Sequence, residues 1–322
     1  MKLPKSYGYL KKELNTIEKL LNESIQANHP ILRKASTELL SAGGKRIRPV
    51  FVLLAGRLGN HNIEHVKTVA VALELIHMAT LVHDDVIDHA ELRRGKPTIK
   101  HLYGNRVAMY TGDYILARAL EIIAQIKKPE IHQALSQTLV EVSIGEIEQI
   151  KDRFNWDQTL RDYLRRIKRK TALLIASSCE LGAMAAGAPA KETKKMYRYG
   201  YYVGMSYQII DDILDFTGSS KQLGKPAGND LLQGNITLPI LIAMQDPSVD
   251  QFIRKAFQAE EVKDADIKEV LNILHKTDAI EKSYQLSNQY LQKALDVLDS
   301  LPDFESKQTL ADIAVFLGKR RS

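Results

Sequence analysis

Two short segments of the chain repeat the pattern Asp-Asp-apolar-apolar-Asp, and their first residues are 127 positions apart (211 − 84). The repeated carboxylates are Asp84, Asp85 and Asp88 in one copy, and Asp211, Asp212 and Asp215 in the other. Residues four apart share one face of a helix, and like charges placed there destabilise it by roughly 0.2–0.5 kcal/mol. Mg²⁺ relieves such repulsion, because it binds one or two carboxylates together with substrate phosphates. A single cluster favours a solvated acidic surface, but two clusters that each follow apolar residues predict metal sites.

Several basic segments could hold the phosphate groups of a substrate. The segment GGKRIRP at 43–49 places three cations on a glycine-rich turn entering a helix, where backbone N–H groups favour anions. It is not a P-loop, because the spacing and the Ser or Thr are missing. Further cations are Arg93 and Arg94, which follow the first aspartate cluster, and the later Lys170 and Lys225. Each alone is more often a solvated charge, but together they indicate more than one polyanionic group.

The elements that must position these residues are helices. Apolar residues recur at steps of three and four in segments 63–88, 106–126, 131–151, 158–186, 191–216, 236–245 and 279–298. Breaks fall at Gly and Pro clusters, none of which resembles a flexible linker between domains. We predict an all-α fold of about a dozen helices that forms a single domain over residues 1–322. His77 lies two turns before Asp84 on the same face, so it is either a buried core side chain or a ligand.

Composition excludes several classes of protein. The chain has 322 residues, of which 44% are apolar and 26% charged, which is typical of a globular protein. The single cysteine, Cys179, rules out an intramolecular disulfide and favours a reducing compartment. We expect no secretory signal and no membrane span. The net charge of +6 comes mostly from segment 161–170, with six cations and one anion, so a nucleic-acid partner is not expected.

At these residues the chain resembles the trans-isoprenyl diphosphate synthase family. The two aspartate motifs, GGKRIRP, the RRG after the first motif and the Lys-Thr pair at 170–171 match that family in order and spacing. The match extends from residue 10 to the C-terminus. Strings such as HMATLVHDDVID and GYYVGMSYQIIDDILDF are similar to the larger, catalytic component of bacterial two-component synthases that make heptaprenyl diphosphate. The resemblance implies an all-α helical bundle of the isoprenoid synthase type, with a central cavity and both motifs facing each other across its mouth.

The resemblance also implies a role for each matching residue. Mg²⁺ would be bound by Asp84, Asp88 and Asp211, with Asp85, Asp212 and Asp215 in or just outside its coordination shell. The allylic diphosphate would be contacted by Arg93, Lys170, Thr171, Gln208 and Lys225. Isopentenyl diphosphate would be held by Lys45, Arg48, His77 and Arg94. The basic C-terminus at 319–321 would close over that second site. These aspartates and Lys170 form the expected catalytic set. Asn235 departs from the family, because related enzymes commonly carry a lysine there.

The implied reaction is a Mg²⁺-dependent addition of isopentenyl diphosphate to farnesyl or longer allylic diphosphate, through a carbocation. We expect a heptaprenyl or hexaprenyl diphosphate product for the menaquinone side chain. Ala79 and Thr80, one turn before Asp84, are small where short-chain enzymes carry aromatic rings, so the product tunnel should continue past them. For Ala79 the alternative is ordinary helix packing.

The resemblance implies a dimer in the cytoplasm with at most peripheral membrane contact. The partner would be a small non-catalytic subunit of another sequence, and a homodimer is the alternative. Four other functions remain open at this point. They are a terpene cyclase, a shorter-chain synthase, the non-catalytic subunit of a heteromer and a Mg²⁺-dependent phosphohydrolase.

Overall fold

The computed structural model describes residues 5–60, 62–218, 227–257 and 264–320. A short 3₁₀ helix, Lys5–Leu10, precedes the first α-helix. The helices up to the second aspartate cluster are α1 (Lys11–Ser24), α2 (Pro30–Ser41), α3 (Ile47–Gly56), α4 (Ile63–Ile87), α5 (Ile99–Ile123), α6 (Pro129–Asp152), α7 (Leu160–Ile167), α8 (Leu173–Ala185) and α9 (Ala190–Thr217). The later helices are α10 (Asn229–Leu232), α11 (Leu238–Ala243), α12 (Pro247–Phe257), α13 (Asp264–Lys276), α14 (Ala279–Asp299) and α15 (Lys307–Gly318).

Within the described residues, the only strands are two short ones that form a hairpin. Strand β1 (Leu92–Arg93) pairs antiparallel with β2 (Lys96–Pro97). The all-α fold predicted from the sequence is therefore confirmed.

The chain divides into two compact units. The first comprises Met1–Gln137, Ser177–Tyr197 and Leu301–Asp312, and it contains the first aspartate cluster. The second comprises Thr138–Ala176, Arg198–Ser300 and Ile313–Ser322, and it contains the second cluster.

Helix α4 forms the core of the first unit and carries the first aspartate cluster at its C-terminal end. Its N-cap is Asn62, whose side chain accepts a 3.3 Å hydrogen bond from the backbone N–H of His65. Helix α3 packs closely on α4 at Gly56. A Cβ at this position would lie 2.9 Å from Cγ1 of Val66, so the close approach requires glycine. The helix meets the length and hydropathy needed to cross a membrane, alone among the described helices, but most of it is buried inside the protein. It therefore serves as a core helix.

The second unit has an interruption that sequence periodicity did not predict. The helical pattern over 158–186 becomes α7, a π-helical turn at Lys168–Ala172, and α8. Helix α7 begins with a capping box, in which Thr159 and Asp162 bond each other's backbone N–H groups. The π-turn is closely packed, since a Cβ on Gly145 would lie 2.5 Å from Arg169 Cβ and one on Gly204 would lie 2.5 Å from Ala172 Cα. Such turns occur mostly as single-turn bulges inside α-helices, and they are frequent at functional sites.

Candidate active site

The first aspartate cluster divides into accessible and buried carboxylates. Asp84 and Asp88 are one turn apart at the end of α4, and both are partly exposed. Asp85 is 3% exposed, and its Oδ1 accepts hydrogen bonds from Arg93 Nε at 2.8 Å and Nη2 at 2.7 Å. Burial raises the pKa of Asp85, and the Arg93 guanidinium opposes that effect. Asp85 thus anchors Arg93, while Asp84 and Asp88 remain accessible to a ligand.

Two of the cations predicted to hold isopentenyl diphosphate, Arg48 and Arg94, lie close enough to His77 to affect its pKa. The pKa of His77 is lowered well below its usual value by burial and by the positive charges of Arg48, Arg94, Arg93 and Arg46. His77 is therefore neutral at neutral pH and can donate a hydrogen bond to an anion without adding charge.

The glycine-rich turn lies against the loop that follows the first cluster. A guanidinium nitrogen of Arg94 donates to the carbonyl oxygen of Gly43. Lys96 Nζ donates to the carbonyl oxygen of Ser41 at 2.7 Å. Lys45 is exposed and Arg48 is partly buried. The structure therefore brings Lys45, Arg48, His77 and Arg94 into one region of the first unit.

The second aspartate cluster shows the same division. The side chain of Asp211 is 52% exposed and is ion-paired with Arg320, whose guanidinium also lies 5.1 Å from the centre of the Tyr207 ring. Asp212 and Asp215 are 3% and 1% exposed. The predicted closure of the basic C-terminus over the isopentenyl site stays a prediction. Here Arg320 contacts a predicted metal ligand, and Arg321 lies outside the described residues.

Asp212 is the centre of a buried hydrogen-bond network. Tyr163 donates from its hydroxyl to Asp212 Oδ2 at 2.7 Å, and Gln208 Nε2 donates to Oδ1 at 2.8 Å. Thr171 Oγ1 in turn donates to Gln208 Oε1 at 2.6 Å. Burial and the nearby charge of Asp230 raise the pKa of Asp212 to about 7, despite these hydrogen bonds. The network links two residues predicted to bind the allylic diphosphate, Thr171 and Gln208.

Asp215 anchors the chain that follows the second cluster. Its Oδ2 accepts from the backbone N–H of Asp230 at 3.1 Å, and its carbonyl oxygen accepts from the N–H of Gly228 at 2.8 Å. Lys225, predicted to contact the allylic diphosphate, lies outside the described residues. Asn235 is bonded through its backbone N–H to the carbonyl oxygen of Asp230 at 2.8 Å.

The π-turn carries Lys170 and Thr171 side by side. Lys170 is exposed, and its Nζ donates to the buried Gln149 Oε1 at 2.7 Å. Lys170 is therefore held by a neutral acceptor and keeps its full positive charge available for a diphosphate.

Other cations of the same basic run have structural partners. Arg166 is buried and donates to Gln158 and to the carbonyl oxygen of Ile236. Arg169 is paired with Glu141 and Glu148. Arg166 and Arg169 therefore form hydrogen bonds and ion pairs within the protein.

The residues predicted to control product length lie one turn before the first cluster. Ala79 is 1% exposed, and Thr80 donates from its hydroxyl to the carbonyl oxygen of His77 at 2.9 Å. Ile76 and Leu75 lie further from Asp84 on α4, in the direction in which a tunnel past Ala79 would extend, and both are fully buried.

The aspartate clusters fit the chemistry of Mg²⁺ in part. Within the described residues, no three His, Cys, Asp or Glu side chains are close enough to form a complete metal site. Mg²⁺ does not require one, because it usually keeps water and takes one or two carboxylates plus substrate phosphates. Asp84 and Asp88 offer two oxygen ligands at i and i+4. The donor set therefore suits Mg²⁺ that arrives with a diphosphate.

The fold and the two clusters define an isoprenoid synthase, and comparison with known proteins agrees. Residues 29–274 match the model of the family described as polyprenyl synthetase, so the chain belongs to that family. It is 58% identical over 320 residues, covering 99% of both chains, to heptaprenyl diphosphate synthase component 2 of Geobacillus stearothermophilus.

Two solved structures extend this comparison. The structure of heptaprenyl diphosphate synthase from Staphylococcus aureus is similar, with a TM-score of 0.93, 43% identity, and coverage of 97% of this chain and 99% of that one. Polyprenyl synthase from Caulobacter crescentus CB15, determined in complex with calcium and isoprenyl diphosphate, has a TM-score of 0.92 and 30% identity, covering 98% and 96%.

Family membership confirms several sequence predictions. The chain is a polyprenyl-transferring enzyme, and the resemblance to the catalytic component of a two-component synthase is confirmed. This finding favours prenyl transfer over the phosphohydrolase, terpene cyclase and non-catalytic interpretations. The calcium-containing relative supports the prediction that the enzyme depends on a divalent metal. The roles of the individual site residues stay predictions.

Proposed function

We propose that this chain is the catalytic subunit of a long-chain trans-prenyltransferase. It adds isopentenyl diphosphate repeatedly to farnesyl or longer allylic diphosphate and releases heptaprenyl diphosphate, the precursor of a menaquinone side chain. We propose that residues 1–322 act as one catalytic domain that contains both compact units, and the alignment with component 2 over 99% of the chain supports this extent. The observation that carries the reaction class is the division of both aspartate clusters into partly exposed carboxylates and buried ones.

The six aspartates therefore have two different roles, which depend on whether the carboxylate is exposed or buried. Asp84, Asp88 and Asp211 are the metal ligands, because their carboxylates are partly exposed. The buried carboxylates position other groups, as Asp85 does for Arg93 and Asp212 does for Gln208. Bound Mg²⁺ supplies Lewis-acid stabilisation of the departing diphosphate.

The chain's cations hold the allylic diphosphate as it leaves. Arg93, fixed by Asp85, and Lys170, fixed by Gln149, present positive charge that needs little reorganisation during the reaction. Thr171 and Asp212 orient the amide group of Gln208, which keeps its second Nε2 hydrogen for donation to the diphosphate. These interactions strengthen as negative charge gathers on the leaving group, so they lower the barrier for breaking the C1–O bond.

The second substrate is held by the cluster around His77. Lys45, Arg48 and Arg94 bind the diphosphate of isopentenyl diphosphate, and neutral His77 donates a hydrogen bond to it. The C3–C4 double bond then attacks allylic C1, and the resulting tertiary cation loses a proton from C2 to the departing pyrophosphate. No side-chain base is required, and buried apolar residues such as Ala79 keep water away from the cation.

We further propose that the enzyme functions in the cytoplasm as a dimer with a small non-catalytic subunit. The relative of 58% identity is named component 2, which supports a second component. The product is insoluble, so peripheral contact with a membrane is expected at product release.

The test is incorporation of labelled isopentenyl diphosphate into acid-labile product with farnesyl diphosphate and Mg²⁺. The full-length chain is assayed alone and with the candidate small subunit, beside the Asp84→Asn variant. We expect incorporation by the wild-type chain and a decrease on the order of 100-fold for Asp84→Asn. Release of inorganic phosphate without incorporation in either case would refute the proposal.

A further inference from the structure

The third cation of GGKRIRP, Arg46, is committed to contacts inside the protein. Arg46 is the N-cap of α3 and has left-handed backbone angles (φ 48°, ψ 37°), which few residues other than glycine adopt. Its side chain is 11% exposed. The turn that carries Lys45 and Arg48 therefore has an uncommon backbone conformation at Arg46, directly after Lys45.

Arg46 ties this turn to two helices. Its Nε and Nη2 bond both carboxylate oxygens of Glu18 on α1, and its Nη1 bonds Glu74 Oε1 on α4 at 2.9 Å. Bidentate arginine–carboxylate pairs fix orientation as well as distance. Burial alone would lower the pKa of Arg46, but the two carboxylates raise it above its usual value. The guanidinium group of Arg46 is thus charged and already bonded to Glu18 and Glu74.

Glu74 places this anchor next to the predicted substrate ligands. It lies one turn before His77 on α4, and its side chain is 4% exposed. Burying a carboxylate costs free energy unless it is paired with a cation, so Glu74 depends on Arg46 for its charge to be buried. In return, Glu74 fixes the position of Arg46 and of the turn that carries it.

The turn is held on its other side by the loop after the first aspartate cluster. A Cβ on Gly44 would lie 2.8 Å from Arg94 Nη1 and 3.2 Å from Arg46 Nη1, so both guanidinium groups pack against this glycine. Arg94 also bonds the carbonyl oxygen of Gly43. The position of Arg94 therefore depends on the same turn that Arg46 fixes.

We propose that Arg46 is a positioning residue for isopentenyl diphosphate: its ion pairs with Glu18 and Glu74 hold the turn so that Lys45, Arg48 and Arg94 converge on one diphosphate beside His77. Arg46 does not contact the substrate. This inference rests on the proposed function, because it assigns the cation cluster to isopentenyl diphosphate.

The test measures binding of isopentenyl diphosphate to the full-length chain by calorimetry, so it does not depend on turnover. Arg46→Gln and Glu74→Gln are each expected to raise Kd at least tenfold, whereas Kd for farnesyl diphosphate with Mg²⁺ changes less than twofold. Arg46→Lys restores part of the affinity. The double variant binds no more weakly than Arg46→Gln, because both changes break the same link.

Arg57→Gln is the matched control. Arg57 follows α3 and pairs with Glu13 of α1 and with Glu305, so its removal breaks ion pairs on the same helices away from the turn. We expect it to lower the melting temperature without changing Kd for isopentenyl diphosphate.

Equal effects of Arg46→Gln and Arg57→Gln on Kd would overturn the inference, as would equal weakening of both substrates. Absence of isopentenyl diphosphate binding by the wild-type chain would overturn it too. Failure of the proposed function is detected separately, by the incorporation assay on the wild-type enzyme. If Arg46→Gln does not fold, Glu74→Gln decides the question alone.

Discussion

The hydroxyl group of Tyr163 donates a 2.7 Å hydrogen bond to Oδ2 of Asp212, and both side chains are buried in the second unit. The two residues are 49 positions apart in sequence, on α7 and α9. Because Gln208 bonds the other oxygen, the carboxylate of Asp212 is held from both sides. In the second aspartate motif, Asp212 therefore has a structural role between Asp211 and Asp215.

Tyr163→Phe is expected to leave a buried carboxylate oxygen without its donor. The loss should lower the free energy of unfolding by roughly 1–3 kcal/mol and raise KM for the allylic diphosphate more than KM for isopentenyl diphosphate. Urea denaturation and substrate titrations measure the two effects. Tyr103→Phe is the control, because Tyr103 also bonds a carboxylate, that of Glu38, at a less buried position. A larger loss of stability for Tyr103→Phe would contradict the account.

Asp84→Asn should remove a metal ligand while leaving the fold intact. We expect a decrease in kcat on the order of 100-fold, comparable with the loss of one group that stabilises developing charge, and a higher Mg²⁺ concentration for half-maximal activity. Asp113→Asn, at an exposed aspartate of α5 that contacts His83, is the matched control. Similar Mg²⁺ titration curves for the wild-type protein and Asp84→Asn would exclude Asp84 as a ligand.

Ala79→Phe should shorten the product, because the ring would block the path of the growing chain one turn before Asp84. An isoprene unit and a helical turn of about 5.4 Å are similar in length. We therefore expect products several units shorter, and intermediate lengths for Ala79→Val. Ala70→Phe is the control, since nine residues at 100° place Ala70 on the opposite face of α4, where it is also fully buried. An unchanged product length in a folded Ala79→Phe enzyme would rule out this path.

Glu180 predicts a pH dependence of stability. Burial raises its pKa to about 7 from a model-peptide value of 4.5, and Lys194 opposes this effect. The folded protein therefore binds more protons than the unfolded chain between these pH values, so stability falls as the pH rises through that window. The destabilisation is absent below about pH 4.5 and complete above about pH 7, where it is on the order of 3 kcal/mol.

Glu180→Gln should therefore raise the melting temperature at pH 8 and change it little at pH 4.5. Thermal unfolding at the two pH values measures this difference. The exposed Glu64→Gln provides the control and should show no comparable dependence on pH. An equal effect of Glu180→Gln at both pH values would show that its carboxyl group is not responsible.

The sequence predicted the long helices well, because long amphipathic patterns and their Gly and Pro breaks are local signals. Helix α4 begins at Ile63, as predicted, and α9 extends only one residue beyond the predicted segment at each end. The π-turn at Lys168–Ala172 was not predicted, and the glycines that pack closely against it, Gly145 and Gly204, lie elsewhere in the sequence. The spacing of apolar residues does not reveal one extra residue in a helical turn, which is what a π-turn contains.

The roles of individual side chains were harder to predict than their location. All three cations of GGKRIRP indicated anion binding, but Arg46 pairs with Glu18 and Glu74, which are each 28 residues away. Tyr163 gave no signal, because its partner lies on another helix. Long-range pairs of this kind require the fold, whereas the repeat of two aspartate motifs is visible in the chain itself.

The length of the product tests the central claim most directly. The full-length chain, alone and with the candidate small subunit, is incubated with farnesyl diphosphate, isopentenyl diphosphate and Mg²⁺, and the dephosphorylated alcohols are sized by mass. The account predicts a series ending at heptaprenol, with the full yield when the second subunit is present. A series that ends at geranylgeraniol, or the absence of any elongation with the subunit present, would contradict it.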